Sequence, residues 1–146
     1  MPEDADQPIE IQAERAEYDQ DSATVTYLGN VDVQQGTMRV TADEMTVHYE
    51  DQKVVRITAH GGPASYRQML EPPRGEVEAD ATVIVYHTQE ERVDLRGDAY
   101  LSQGGNEMTG DLIHYDIVAG RARAQSGEQG PVRVTVQPDG ESEEQP

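Results

Sequence analysis

Two stretches of this chain repeat one another without a gap, and that repetition limits the available folds more than any single residue does. The first is Tyr27-Leu28-Gly29-Asn30-Val31-Asp32-Val33-Gln34-Gln35-Gly36, and the second is Leu95-Arg96-Gly97-Asp98-Ala99-Tyr100-Leu101-Ser102-Gln103-Gly104. Gly29 matches Gly97, Gln35 matches Gln103, Gly36 matches Gly104 and Asp43 matches Asp111, every pair 68 residues apart. Repetition on this scale means stacked copies of one supersecondary unit.

The unit is a β-strand pair. Val25, Tyr27, Val31 and Val33 share one face, with Gly29 in the same row, and Val93, Leu95, Ala99 and Leu101 do the same around Gly97. Thr24, Thr26, Asn30, Asp32 and Gln34 take the other face. Period two with one polar face marks antiparallel strands over a core. A glycine inside such a strand marks a bend or a close backbone approach.

A second pattern occurs four times. Ile9, Ile11 and Ala13 give way to Ala16 and Tyr18 on the opposite parity. Met38, Val40 and Ala42 give way to Met45, Val47 and Tyr49; Val77 and Ala79 to Thr82, Ile84 and Tyr86; Met108 and Gly110 to Ile113, Tyr115 and Ile117. A one-residue slip moves every side chain to the other face, so a bulge or kink at each site is needed to return the apolar row to the core. The expectation is four repeated bent-strand units in an all-β chain. Polar turns, three of them with glycine, separate the strands at residues 19–22, 35–36, 50–52, 89–91, 103–106 and 127–130. Gly61-Gly62-Pro63 and Gly130-Pro131 read as turns that end comparable strands. Glu71-Pro72-Pro73-Arg74-Gly75 divides the chain near its middle; each half alone would be an open sheet, so one continuous sheet is expected. Residues 1–8 read as a flexible acidic arm, 9–137 as one domain and 138–146 as a disordered acidic tail.

Charge and composition exclude several functions. A net charge of −18 argues against nucleic-acid binding and against electrostatic docking on anionic lipid. The absence of cysteine removes disulfides, thiolate catalysis and thiolate metal sites. No segment approaches the ~20 apolar residues of a membrane helix. Met1-Pro2-Glu3-Asp4 shows neither a basic nor an apolar signal region, so the chain is either cytosolic or written without its signal peptide. His48, His60, His87 and His114 form no ligand spacing; His48 and His114 read as equivalent repeat positions, both turned away from the apolar row. Asp32, Asp43, Asp98 and Asp111 lack the tight run of a calcium loop. No serine sits in a G-x-S-x-G elbow. These readings leave a non-enzyme without cofactor or metal, carrying a long one-sided apolar surface of Val, Ile, Leu, Met, Ala and Tyr without Phe or Trp. Such a sheet either closes tightly on itself or keeps a trough for an apolar ligand.

Several motifs, in order, resemble one family. They are Ile9-Glu10-Ile11-Gln12-Ala13-Glu14, the 27–36 stretch with Ala42-Asp43, and Gly62-Pro63-Ala64-Ser65-Tyr66-Arg67-Gln68-Met69. They continue with residues 95–101, Gly110-Asp111-Leu112-Ile113-His114-Tyr115-Asp116 and Val132-Arg133-Val134-Thr135-Val136-Gln137-Pro138. Residues 7–138 resemble the periplasmic lipopolysaccharide-transport proteins of the LptA (OstA-like) family. The resemblance implies a V-shaped, twisted antiparallel β-jellyroll with open edge strands. It implies a periplasmic bridge that carries lipopolysaccharide from inner to outer membrane, with acyl chains inside the groove. It implies joining by strand addition: an LptC-like protein at the N-terminal edge, an LptD-like N-terminal domain at the C-terminal edge, and further copies end to end. Carried over by position, Ile9 and Ile11 lie inward on the N-terminal edge strand, and Tyr66, Ile84, Tyr86 and Thr88 line the groove. Alternation adds Val31, Val33, Leu95, Leu101, Ile113 and Tyr115 to the lining. The edges are Ile9, Glu10, Ile11 and Gln12 at one end and Val132, Arg133, Val134, Thr135 and Val136 at the other. The chain departs from the family in having Tyr27 and Tyr66 where Phe is common, and a single lysine, Lys53. Arg15, Arg67 and Arg74 are the cations left to meet lipid phosphates. The alternative from another class is a soluble all-β glycan-binding or structural OstA-like module without lipid transport, with Tyr100 as its one clear outward aromatic.

Overall fold

The computed structural model describes residues 6–70, 75–128 and 130–136. Most of the acidic arm, residues 71–74 of the Pro-Pro segment, residue 129 and the acidic tail lie outside them. The described strands are β1 (Glu10–Gln12), β2 (Arg15–Asp19), β3 (Thr24–Gln35), β4 (Met38–Glu50), β5 (Lys53–Leu70), β6 (Gly75–His87), β7 (Arg92–Gln103), β8 (Asn106–Asp116), β9 (Arg121–Gln125) and β10 (Arg133–Thr135). They form one antiparallel sheet in the order β1-β3-β4-β5-β6-β7-β8-β10, with β2 also on β3 and β9 also on β8. The sheet is open: it begins at β1 and β2 and ends at β9 and β10. The two halves on either side of 71–74 are joined by β5–β6 pairing from Arg56↔His87 to Leu70↔Gly75, so a single sheet it is.

Every long strand bends at its middle. Register shifts fall between Leu28 and Val31, Thr41 and Glu44, His60 and Ala64, Asp80 and Val83, and Arg96 and Ala99. These shifts line up across the sheet and crease it into two leaves. One leaf holds β1, β10 and the halves of the long strands nearer 31–42, 64–81 and 99–110. The other holds β2, β9 and the remaining halves. Both leaves turn their apolar rows into one core cluster, which includes Val31, Val33, Val40, Ala42, Met45, Val47, Ile57, Tyr66, Ile84, Leu95, Ile113 and Tyr115. The parity flips in the sequence are this crease.

Glycine makes two of the bends. Gly29 and Gly97 have φ of +85° and +83°, and the residues after them, Asn30 and Asp98, have φ of +47° each. Glycine takes that region freely, and Asn and Asp tolerate it best among the others. A Cβ on Gly29 would lie 2.4 Å from Glu14 Oε1, and one on Gly97 would lie 2.9 Å from Thr82 Oγ1, so close approach adds a second reason.

Three expectations need correcting. Gly61-Gly62-Pro63 is not a turn: β5 runs straight through it, and it supplies the crease in that strand. Proline is tolerated inside a sheet at a bulge, where no ladder hydrogen bond is asked of its nitrogen. The crease in β6 follows Ala81, which is buried, and so leaves Thr82 on the outer surface. His48 and His114 are not equivalent either. His48 opposes Thr24 and His114 opposes Asp94, whereas the 68-residue relation maps His48 onto Asp116.

Candidate functional site

The core residues chosen from the sequence converge. Val31, Val33, Tyr66, Ile84, Tyr86, Leu95, Leu101, Ile113 and Tyr115 are all buried between the leaves. They pack against one another, and the middle of the groove is filled by them. Tyr66 donates its hydroxyl to Gln68 Oε1 within its own leaf, and the Tyr115 hydroxyl reaches Gln103 Oε1 across the leaves at 3.4 Å. These bonds satisfy phenols that burial would otherwise strand. Thr88 is not in that row: its Oγ1 donates to the Val54 carbonyl at 2.5 Å and its amide to that of Val55, which fastens the end of β6 to β5.

The groove opens at the N-terminal end. Ile9 and Ile11 from one leaf and Tyr27, Val47, Tyr49, Val54 and Ile57 from the other line a cleft of about 330 Å³. Ile9, Ile11, Tyr27, Tyr49 and Val54 are only partly buried, while Val47 and Ile57 form the floor. The lining is aliphatic and aromatic, with two phenol hydroxyls as its side-chain polar groups. Burial, and then the neighbouring Tyr49 hydroxyl, raise the Tyr27 phenol above its ordinary pKa, so it stays neutral at physiological pH. Such a cleft takes apolar chains and offers no charge to oppose them.

Sequence reading found Ile9 and Ile11 for this cleft and missed the other five as its lining. Tyr27, Val47 and Tyr49 stand in apolar rows of the sequence, whereas Val54 and Ile57 have opposite parities in β5 and reach the same side through a register shift opposite His48 and Tyr49. Which row members face an open space depends on where the sheet stops, and β1 is too short to cover them.

The outer face of the second leaf carries a different cluster. Asp94 is 3% exposed, and His114 Nδ1 at 2.7 Å, His87 Nε2 at 3.1 Å and Arg92 Nε at 3.4 Å surround its carboxylate. Burial pushes the Asp94 pKa up, but hydrogen bonds from His114 and His87 and the charges of His114 and Arg92 win and hold it below the ordinary value. On the outer face of the first leaf Arg39 grips Asp32 with two bonds of 3.1 and 2.7 Å. Among the described residues no group of three His, Asp or Glu side chains is placed to hold a metal ion.

The edges are exposed as ladders. Among the described residues β1 pairs with β3 alone, through Glu10↔Gln34, Ile11↔Val33 and Gln12↔Asp32, and β10 with β8 alone, through Arg133↔Thr109, Val134↔Met108 and Thr135↔Glu107. Val132 and Val136 flank β10 rather than belong to it. Val134 and Val136 are 55% and 65% exposed, an unusual cost for valines on an open strand. Of the three candidate phosphate-binding arginines, Arg15 and Arg67 are exposed on outer positions away from the cleft lining, and Arg74 lies outside the described residues.

A creased, open-ended antiparallel β-jellyroll with an apolar cleft at one end and, among the described residues, edge strands paired on one side alone has the architecture of the OstA type. Residues 10–121 match the family described as LptA/(LptD N-terminal domain) LPS transport protein, and the chain belongs to that family. It is 34% identical over 128 residues to the lipopolysaccharide export system protein LptH of Pseudomonas aeruginosa, covering 84% of this chain and 73% of that one. It is 37% identical over 115 residues to the lipopolysaccharide export system protein LptA of Escherichia coli, covering 77% of this chain. The aligned part spans 61% of the length of that relative. The crystal structure of LptH, described as the LptA homologous periplasmic component of the conserved lipopolysaccharide transport device, superposes with a TM-score of 0.86. Identity there is 31%, over 94% of this chain and 100% of that one. Among the described residues no helix is long and apolar enough to cross a membrane.

Proposed function

We propose that this protein is a periplasmic bridge component that binds lipopolysaccharide and passes it from the inner to the outer membrane. The acyl chains of lipid A lie against the apolar interior, while sugars and phosphates stay in solvent. The cleft at Ile9, Ile11, Tyr27 and Tyr49 is the place of entry, and the two leaves part to admit the chains, so that Val31, Val33, Tyr66, Ile84, Tyr86, Leu95, Leu101, Ile113 and Tyr115, which otherwise pack against one another, become the walls. Edges join partners by strand addition. Ile9–Gln12 take an LptC-like protein, residues 132–136 take an LptD-like N-terminal domain, and the same edges join copies end to end. The protein does no chemistry, and the energy for transport comes from elsewhere.

The observation that carries this reading is the coincidence of an apolar, uncharged cleft with an edge strand that, among the described residues, is paired on one side alone: Ile11 of β1 and Ile9 just before it both line the cleft. A neighbouring protein that adds a strand to β1 would extend the cleft across the joint. Photocrosslinkers at Tyr49 and Tyr27 are expected to capture lipopolysaccharide, and one at Thr26, on the outward parity, is expected to capture none. Equal capture at Thr26 overturns the assignment. Ile9→Asp or Ile11→Asp is expected to abolish both stacking on the LptC-like partner and lipid transfer while the domain stays folded.

A further inference from the structure

We infer that the seam between β5 and β6 is an internal copy of the contact between two molecules of this chain, and that it sets the strand register and the charge pairs of that contact. The inference deepens the end-to-end association proposed above and rests on it. The 68-residue relation extends well beyond the matching sequence. β3 pairs with β4 from Thr24↔His48 to Gln35↔Met38, and β7 pairs with β8 from Arg92↔Asp116 to Gln103↔Asn106. The closing backbone bonds repeat too, Tyr49 to Ala23 and Ile117 to Glu91, each 3.0 Å.

The edge strands take part in the same relation. β1 and β2 lie on β3 as β6 lies on β7: Glu10↔Gln34 matches Glu78↔Ser102, and Arg15↔Leu28 matches Val83↔Arg96. β10 lies on β8 as β5 lies on β4: Arg133↔Thr109 matches Ser65↔Thr41. β9 is the counterpart of the other half of β5, with its hairpin three residues tighter, since Met45↔Ala59 is matched by Ile113↔Ala124. Inside the molecule β5 and β6 pair with each other. At the ends of the molecule, among the described residues, no further strand lies beside their counterparts.

Transposing the β5–β6 ladder therefore yields a register. Ser65↔Asp80, Tyr66↔Ala79 and Arg67↔Glu78 become Arg133↔Gln12, Val134↔Ile11 and Thr135↔Glu10 between copies. The ladder from Arg56↔His87 to His60↔Val83 becomes Arg121↔Asp19, Ala122↔Tyr18, Arg123↔Glu17, Ala124↔Ala16 and Gln125↔Arg15.

Two further observations agree with that register. Tyr18, Val134 and Val136 are 69%, 55% and 65% exposed, yet their counterparts Tyr86, Tyr66 and Gln68 are 5%, 2% and 6% exposed. They stand open where the neighbouring strand is missing. The charges also match. Arg121 meets Asp19 and Arg123 meets Glu17, all four exposed in the single molecule, where Glu17 has only Arg15 at 3.6 Å. The internal seam carries the corresponding kind of pair, Arg67 with Glu78 at 4.0 Å. Pairing β9 with a second β9 would set arginine beside arginine, and β2 with β2 would set acid beside acid, which cross-strand energetics disfavour. The contact is thus head-to-tail and does not close on itself.

The chain has no cysteine, which makes disulfide trapping clean. Ala16→Cys protein mixed with Ala124→Cys protein is expected to form a disulfide-linked dimer. Ala16→Cys with Ala122→Cys is expected to form none, because that diagonal is about 7–8 Å and a disulfide needs Cα atoms within about 7 Å. Arg121→Glu/Arg123→Glu is expected to weaken self-association at least tenfold by sedimentation, as is Glu17→Arg/Asp19→Arg, and mixing the two is expected to restore it. No trapping at 16–124, equal trapping at 16–122, or no recovery on mixing overturns the register. Lipid capture at Tyr49 is read on the single molecule, so a failed register and a failed lipid assignment give different results.

Discussion

Replacing Asp94 with Asn tests whether the outer polar cluster holds the second leaf together. The carboxylate is nearly inaccessible and accepts from His114, His87 and Arg92, side chains on β8, β6 and β7. Those three strands carry Tyr115, Tyr86 and Leu95 on their inner faces. A hydrogen bond to a charged group is worth about 1.5–3 kcal/mol net, and an exposed ion pair such as that of Arg92 adds little. Asn keeps the shape but loses the charge and turns an amide N–H₂ toward one of the donors. The expected loss is about 2–3 kcal/mol at neutral pH, or roughly 4–12 °C in Tm for a chain of this size. The sign with pH follows from the depressed pKa of Asp94. A carboxylate held below its ordinary value stabilises the fold above the unfolded pKa, about 4, and that advantage fades as pH falls through the lower folded value. Urea melts of wild type and Asp94→Asn are expected to differ fully at about pH 7 and to converge as the pH falls below the ordinary carboxylate value of about 4. Equal stability at neutral pH, or a gap that persists unchanged in acid, would refute the reasoning.

Other outcomes follow from the same geometry. Ile113→Ala removes a fully buried side chain at the join of the leaves and is expected to cost about 2–5 kcal/mol in denaturant melts. Gly97→Ala is expected to destabilise more than Gly104→Ala; both have positive φ, but only at Gly97 does the new Cβ meet another side chain, that of Thr82. Val54→Asp places a charge in the rim of the cleft and is expected to reduce lipopolysaccharide crosslinking from Tyr49, with the circular dichroism spectrum of the wild type retained.

Alternation and the 68-residue repeat determined a great deal without coordinates. Period-two rows require strands, a polar row opposite an apolar one requires a one-sided sheet, and each parity flip requires a bulge, so an antiparallel sheet creased in its middle was legible from residues alone. The inward places of Val31, Val33, Leu95, Leu101, Ile113 and Tyr115 follow from the same rows, whereas that of Tyr66 came from the family resemblance. Gly61-Gly62-Pro63 was misread because glycine and proline punctuate turns and bulges alike, and only the continuous β5 ladder distinguishes them. The tertiary structure alone decided which apolar residues are packed and which are open. Tyr66 and Tyr27 both lie on the apolar side of the sheet, but Tyr66 sits between two long strands, β4 and β6, whereas Tyr27 has on one side β2, an edge strand five residues long. It also decided that Asp94, on the polar row, is buried, because its partners His87, Arg92 and His114 come from three strands. Strand parity is a local property that the chain carries in its sequence. Burial depends on which neighbours arrive from elsewhere and where the sheet ends, and those are known only once the chain has folded.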